Sequence, residues 1–328
     1  MVTNSVLHIL YCSSLEYMRF ILIISFVFIF VPSADCQSHH TTQFLSVSGK
    51  KLAYRSHALQ SRKSDKPVIV FESGLGSGKE SFDYLLPFLP KDLAWIAYDR
   101  AGVSQSEGDT TIVTDADVVK RLHQFLVAKK VTPPYLLVGH SLGGPFIRLF
   151  TSFYPNEVAG LVFIDPTNYM LGQNEDEQIK TASGSAMGYK ELFFRMNEKF
   201  SMDTSLPAPV RQEMKRVSES MQKGFFHEYS SLNPLPNIPV AVLIAYNSPI
   251  ELPEEQLSKE FKINSALWFK EVNNFRMRDY AELIKNNDNS SVILLPGYQH
   301  VIHHRDPQLV ATTILQVYKK ALKPKQGM

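Results

Sequence analysis

Tyr135-Leu136-Leu137-Val138-Gly139-His140-Ser141-Leu142-Gly143-Gly144 decides how this chain is read. Four apolar or aromatic residues open the stretch as a short buried strand. Gly139 and Gly143 then flank Ser141 two positions to either side, giving G-x-S-x-G with a third glycine behind it. A strand that turns straight into a helix brings those flanking positions so close that side chains there would collide, and it holds the tip residue at strained backbone angles with its side chain projecting outward. Beyond the turn, Phe146, Ile147, Leu149, Phe150, Phe153 and Tyr154 recur at helical spacing. Pro145 suits the first helical turn and Pro155 ends the helix. The bare motif arises often by chance; its place between strand and helix makes Ser141 a candidate nucleophile.

In that setting the chain resembles the α/β-hydrolases, a family with a Ser, acid, His triad in that chain order. The matching motifs run from about residue 68 to residue 307, loosely in the middle third. The resemblance implies an α/β fold with a mostly parallel eight-stranded sheet flanked by helices and an inserted helical cap. The residues supply such strands: a hairpin signal at Gln43 to Val47 and Leu52 to Arg55, then apolar runs at 67–71, 94–98, 135–138, 161–164, 239–245 and 292–295. Continuously apolar runs are what a parallel sheet covered on both faces requires. Val118, Leu122, Phe125 and Leu126 mark an amphipathic helix capped near Thr114 or Asp115, and Asp306-Pro307 opens the last one. Between Asn168 and Pro239 polar helices replace the apolar runs, with Val210, Met214, Val217 and Met221 as a stripe at helical spacing. The stripe reads as packing. The expected division is a core of residues 37–167 and 237–328 and a helical cap of 168–236.

Residues 1–36 read as a secretory signal. The apolar run from Phe20 to Val31 follows Arg19, precedes Pro32-Ser33-Ala34-Asp35-Cys36, and is too short to cross a bilayer comfortably. Met18-Arg19 begins a conventional signal, so residues 1–17 read as an extension from an upstream start. Export, to the periplasm or medium if the host is bacterial, is the expected localisation, and Asp35 argues against lipidation of Cys36. The two cysteines of the chain, Cys12 and Cys36, both precede the mature start, which leaves no disulfide, thiol nucleophile or thiolate metal site downstream. A net charge of +2 gives no electrostatic preference for nucleic acid or anionic membrane. No metal cluster, phosphate loop or nucleotide fingerprint is present, so no cofactor is expected and the expected partner is a small acyl substrate.

A serine hydroxyl attacks a carbonyl only if a neighbouring base takes its proton, and histidine has the pKa for that task near neutrality. His300 lies after the last strand and before the final helix, where the resembled family carries its catalytic histidine. His303 and His304 compete with it but adjoin the cap of the last helix and read as surface or packing residues; His140 is expected to point away beside the elbow. The acid is less plainly marked. The family most often places it after the 240–245 strand, where this chain has Tyr246-Asn247-Ser248-Pro249-Ile250-Glu251. Some relatives carry it one strand earlier, which implies Asp165; Glu251 is the alternative, and a turn cap beside Pro166 is the plain reading of Asp165. In the family the loop after the 67–71 strand supplies one oxyanion-hole amide, usually within a His-Gly pair. Here Ser73-Gly74 stands in that place, implying the N–H of Leu75, with that of Leu142 as the second donor. Glu72 is expected to form a structural ion pair with Arg100. A serine nucleophile implies acyl transfer: carboxylic esters first, with lactones, thioesters, amides or C–C bonds open to the same apparatus. The rival reading is a non-catalytic binding protein on the same fold.

Overall fold

Eight strands form one sheet in the computed structural model, which describes residues 41–250 and 252–322. The expected signal at 1–36, with Cys36, and the alternative acid Glu251 lie outside the described residues. The strands are β1 (Gln43–Val47), β2 (Lys50–His57), β3 (Val68–Glu72), β4 (Trp95–Tyr98), β5 (Tyr135–His140), β6 (Val158–Ile164), β7 (Val240–Tyr246) and β8 (Ser291–Pro296). Their spatial order is β1-β2-β4-β3-β5-β6-β7-β8. β2 pairs antiparallel with β1 and β4, and every other pairing is parallel. This is the mostly parallel α/β sheet that the sequence implied.

Alternation along the strands feeds two cores. Tyr135, Leu137, Phe163 and Val242 face one side with helices α1 (Asp115–Ala128) and α2 (Gly143–Phe153). Leu136, Val138, Val162, Ile164 and Leu243 face the other, under a closing helix, Pro307–Ala321, that contributes Val310, Ile314 and Val317. Both faces are buried, so the strands read as unbroken apolar runs rather than as alternating ones. Helix α1 begins as its sequence requires: Thr114 accepts from the N–H of Asp117, and Asp117 returns a bond to the Thr114 N–H, a reciprocal cap. Asp306 caps the closing helix through the N–H of Leu309, with Pro307 in the first turn.

Between β6 and β7 run α3 (Gln173–Ser183), α4 (Tyr189–Ser201) and α5 (Ala208–Gln222), in the segment expected to form a cap. Met214 and Val217 are buried, and Val210 and Met221 pack against the same core. The stripe on α5 is therefore packing, as its spacing suggested. After β7 come α6 (Leu252–Phe261) and the long α7 (Ser265–Ile284), whose Trp268, Val272, Phe275 and Tyr280 join the core on the α2 side.

Candidate active site

Parallel pairing lines up the C-terminal ends of the central strands. Glu72 lies opposite Gly139, His140 opposite Ile164, and Tyr246 opposite Pro296. The residues that follow each strand, from Ser73-Gly74 through Ser141 and Asp165 to the loop bearing His300, consequently emerge along one edge, where open α/β sheets place ligands.

Ser141 stands at φ 52°, in the left-handed region that a serine seldom adopts. Three backbone bonds hold it there: its N–H donates to Ile164 O at 3.1 Å, and its carbonyl accepts from Gly144 at 3.0 Å and Thr167 at 3.1 Å. The flanking glycines are steric necessities. A Cβ on Gly139 would fall 2.5 Å from Gly143 O, and one on Gly143 would fall 2.3 Å from Glu72 O.

Asp165 follows β6 at φ 42°, its N–H bonded to Leu243 O at 2.7 Å. Its Oδ2 lies 2.6 Å from Nδ1 of His300. Its Oδ1 accepts from the Ala245 N–H at 2.8 Å and pairs with Arg276 Nη2 at 2.9 Å. Burial pushes the Asp165 carboxyl up, but the Arg276 guanidinium and the His300 bond outweigh it and hold the group below the usual carboxylate range. The carboxylate is therefore ionised and oriented. The other ring nitrogen of His300, Nε2, is buried and has no hydrogen-bond partner, and His300 and Ser141 line one cavity. Oγ and Nε2 are not hydrogen-bonded to each other, and contacts of this kind commonly tighten only around substrate. Asn247 also lines the cavity, but Nδ1 of His300 bonds Asp165.

His140 does turn away from the elbow's tip, yet it stays in the site. Alternation along β5 sends it to the same face as Leu136 and Val138, where its ring centroid lies 4.7 Å from that of His300 and its Nε2 lies 3.2 Å from His300 O. The His303 ring meets that of His140 edge-on at 4.5 Å, and its Nε2 lies 3.0 Å from Ser81 Oγ. His303 is buried, while His304 is partly exposed with Nε2 2.8 Å from Ser81 O. Burial pushes His140 and His303 well below the ordinary histidine range, and their histidine neighbours push the same way.

Leu75 and Leu142 are both buried in turns, and neither N–H donates to another backbone group among the described residues. Glu72 and Arg100 form the expected ion pair, Nη1 to Oε1 at 2.7 Å. Two residues that the sequence did not mark, Arg276 behind Asp165 and Glu213 beside Arg100, complete the charged surroundings.

The cavity has a volume of about 370 Å³. Its wall away from Ser141 is largely apolar: Tyr189, Leu192, Phe193 and Met196 come from α4, and Trp268, Phe269 and Val272 from α7. Among the described residues no group of three or more His, Cys, Asp or Glu side chains has the spacing to hold a metal ion. No helix of the described residues is long and apolar enough to cross a membrane.

A sequence model of the alpha/beta hydrolase fold matches residues 67–250, more than half of the chain, and the chain belongs to that family. The uncharacterized protein YqjL of Bacillus subtilis (strain 168) is 24% identical over 262 residues, covering 80% of this chain and 87% of its own. Monoacylglycerol lipase ABHD6 of Homo sapiens is 29% identical over 137 residues, and the match spans 40% of each chain. Among solved structures, a thermophilic esterase from Thermogutta terrifontis superposes with a TM-score of 0.55 at 15% identity, covering 86% of this chain and 100% of its own. The epoxide hydrolase CorEH superposes with a TM-score of 0.56 at 14% identity, covering 85% and 98%. Two different chemistries share the architecture at these identities, so the fold leaves the reaction to be argued from the site.

Proposed function

We propose that the protein is an exported serine hydrolase that cleaves a carboxylic ester or related acyl bond through an acyl-enzyme on Ser141. The observation that carries the reading is the 2.6 Å contact between His300 Nδ1 and Asp165 Oδ2, with Nε2 left buried and unpartnered beside the cavity that Ser141 lines. A base held at one nitrogen and free at the other can take the Ser141 proton as Oγ attacks the carbonyl carbon. The imidazolium is stabilised by Asp165, and the carbonyl oxygen, now an oxyanion, is met by the Leu75 and Leu142 amides. Collapse expels the alkoxide, which leaves as the alcohol with the proton from Nε2. Water then attacks the acyl-enzyme by the same route, losing a proton to His300, and Ser141 Oγ is released with that proton as the carboxylic acid departs.

The apolar wall suits an acyl chain or other bulky apolar group, and the lipase and esterase relatives favour an ester over the other acyl bonds. Nitrophenyl esters of graded acyl length, offered to the wild type and to Ser141→Ala, test the reading. Turnover and fluorophosphonate labelling are expected in the first and absent in the second. An Ser141→Ala protein that hydrolyses as fast as the wild type refutes the nucleophile, and a folded wild type that neither labels nor turns over any ester favours the binding-protein reading. Export is tested separately, by whether the chain reaches the medium or periplasm only with residues 1–36 present.

A further inference from the structure

Arg100 and Glu213 have no step in acyl transfer, yet their side chains are only 3% and 7% exposed. Arg100 follows β4, and Glu213 reaches it from α5. The guanidinium grips two consecutive carbonyls of the loop after β3: Nη1 donates to Ser73 O at 2.7 Å and Nη2 to Gly74 O at 2.6 Å. Its remaining donors are taken by carboxylates. Nη1 donates to Glu72 Oε1 at 2.7 Å, Nε to Glu213 Oε1 at 2.6 Å, and Nη2 to Glu213 Oε2 at 3.0 Å. Glu213 Oε2 also accepts from the Gly76 N–H, so the helix between β6 and β7 touches the loop directly.

The consequence follows from peptide geometry. In a trans peptide the C=O and the next N–H point to opposite sides, and the peptide joining Gly74 to Leu75 is trans. Drawing the Gly74 carbonyl toward Arg100 therefore turns the Leu75 N–H the other way. That N–H has no backbone acceptor among the described residues, and the loop abuts the nucleophile: a Cβ on Gly74 would lie 3.2 Å from Ser141 Cβ. Burial works to raise the Glu213 carboxyl, but Arg100 outweighs it and holds the group below its ordinary value, so the bidentate pair is charged. A bidentate pair of buried charges is costly to open, because either partner alone is left without water.

We propose that Arg100 is a positioning residue that aims the Leu75 amide at the developing oxyanion, and that Glu213 makes this aim depend on the seating of α5. The oxyanion hole is then complete only with the helical segment docked. This rests on the Ser141 acyl-transfer reading.

Arg100→Lys, Glu213→Ala and Glu213→Gln, assayed on a nitrophenyl butyrate and against a trifluoromethyl ketone that adds to serine as an oxyanion, supply the test. Fluorophosphonate titration of each preparation converts rates to kcat per competent site. Arg100→Lys and Glu213→Ala are expected to lower kcat by on the order of 10- to 100-fold while KM stays within about threefold. Ketone affinity should fall in step with kcat/KM, and Glu213→Gln, which keeps an acceptor oxygen, should recover most of the loss. If these variants only melt earlier, with kcat per site and ketone affinity unchanged, the pair is a structural clamp and the proposal is overturned. Arg100→Lys decides the matter where Glu213→Ala does not fold. A wild type that neither labels nor turns over fails earlier, on the acyl-transfer reading, and takes this proposal with it.

Discussion

Asp165 meets His300 across the ends of β6 and β8, Oδ2 to Nδ1 at 2.6 Å, from a backbone at φ 42°. The two carboxylate oxygens divide the work: Oδ2 holds the imidazole, and Oδ1 is tied to the Ala245 N–H and to Arg276. A non-glycine residue at positive φ is maintained only where its surroundings over-determine it. Here a β7 carbonyl holds the Asp165 N–H, and the carboxylate cannot swing without abandoning a β7 amide and an α7 guanidinium.

Asp165→Asn keeps the shape and removes the charge. An amide can present its NH₂ to Nδ1, which favours the tautomer with the proton on Nε2, where the base must be empty. The expected loss in kcat is on the order of 10³- to 10⁴-fold, with the fold retained. Steady-state kinetics on a nitrophenyl ester, with circular dichroism for folding, check it. Activity within a few-fold of wild type would return the role of acid to a residue such as Glu251.

How much of this was legible in the sequence depends on range. The elbow was, because G-x-S-x-G followed by helical spacing is a local pattern, and the central strands were, because burial on both faces writes itself as unbroken apolar runs. His300 and Asp165 could be named only through the family resemblance, which places a histidine and an acid after particular strands, and Glu251 stayed open as the acid. Arg276 could not be named: it is one of several cations in α7, whose visible signal was its apolar residues, and its partner lies far back in the chain. Glu213 was hidden beside Met214 in a helix whose visible signal was its apolar stripe. His140 was expected to point away beside the elbow, and the alternation that carries it off the elbow's tip is what packs its ring against those of His300 and His303.

Arg276→Met should cost stability near neutral pH and weaken the dependence of stability on acid. The folded pKa of Asp165 is depressed, so its contribution to stability is present above the unfolded value, about 3.9, and is lost as pH falls through the lower folded value. Arg276 is the largest of the influences that lower it, and burial, which raises it, remains in the variant. Removing Arg276 raises the folded value toward the unfolded one, so the variant lacks stability near neutral pH that wild type sheds only on acidification. Urea unfolding at pH 7 and at pH 3 is expected to show a gap between the two proteins that narrows at the lower pH, and a gap that is the same at both would mean that Arg276 does not set the charge state of Asp165.

Gly143→Ala tests the elbow's packing without touching a reacting group. The added Cβ would sit 2.3 Å from Glu72 O and 2.9 Å from Ser73 O, both backbone atoms that cannot rotate aside. The helix must back away from β3, at a cost of about 2–3 kcal/mol or more. Urea unfolding should show that loss, together with reduced turnover as Leu142 shifts; a variant within about 0.5 kcal/mol of wild type would mean that the helix start is not so tightly seated.

His303→Phe should change how stability depends on pH. His303 and His140 are buried and neutral, each with Nδ1 unpartnered, and the groups that face His303 are His140, His300, His304 and Ser81. Their folded pKa values lie below the unfolded value of about 6.5, so below that pH the unfolded chain binds protons that the folded chain refuses. Each group then costs up to about 1.4 kcal/mol of stability per pH unit as pH falls, until its own folded value is reached. Phenylalanine keeps the ring that packs on Phe82 at 5.4 Å but cannot titrate, and it gives up the contact with Ser81. Near pH 7.5 the variant is expected to be less stable than wild type by about 1 kcal/mol, the net worth of one hydrogen bond. Near pH 5 the order should reverse, because one proton's worth of slope has been removed. Urea unfolding at several pH values reads both ends of the comparison, and parallel stability curves for the two proteins would show that His303 does not carry the acid sensitivity.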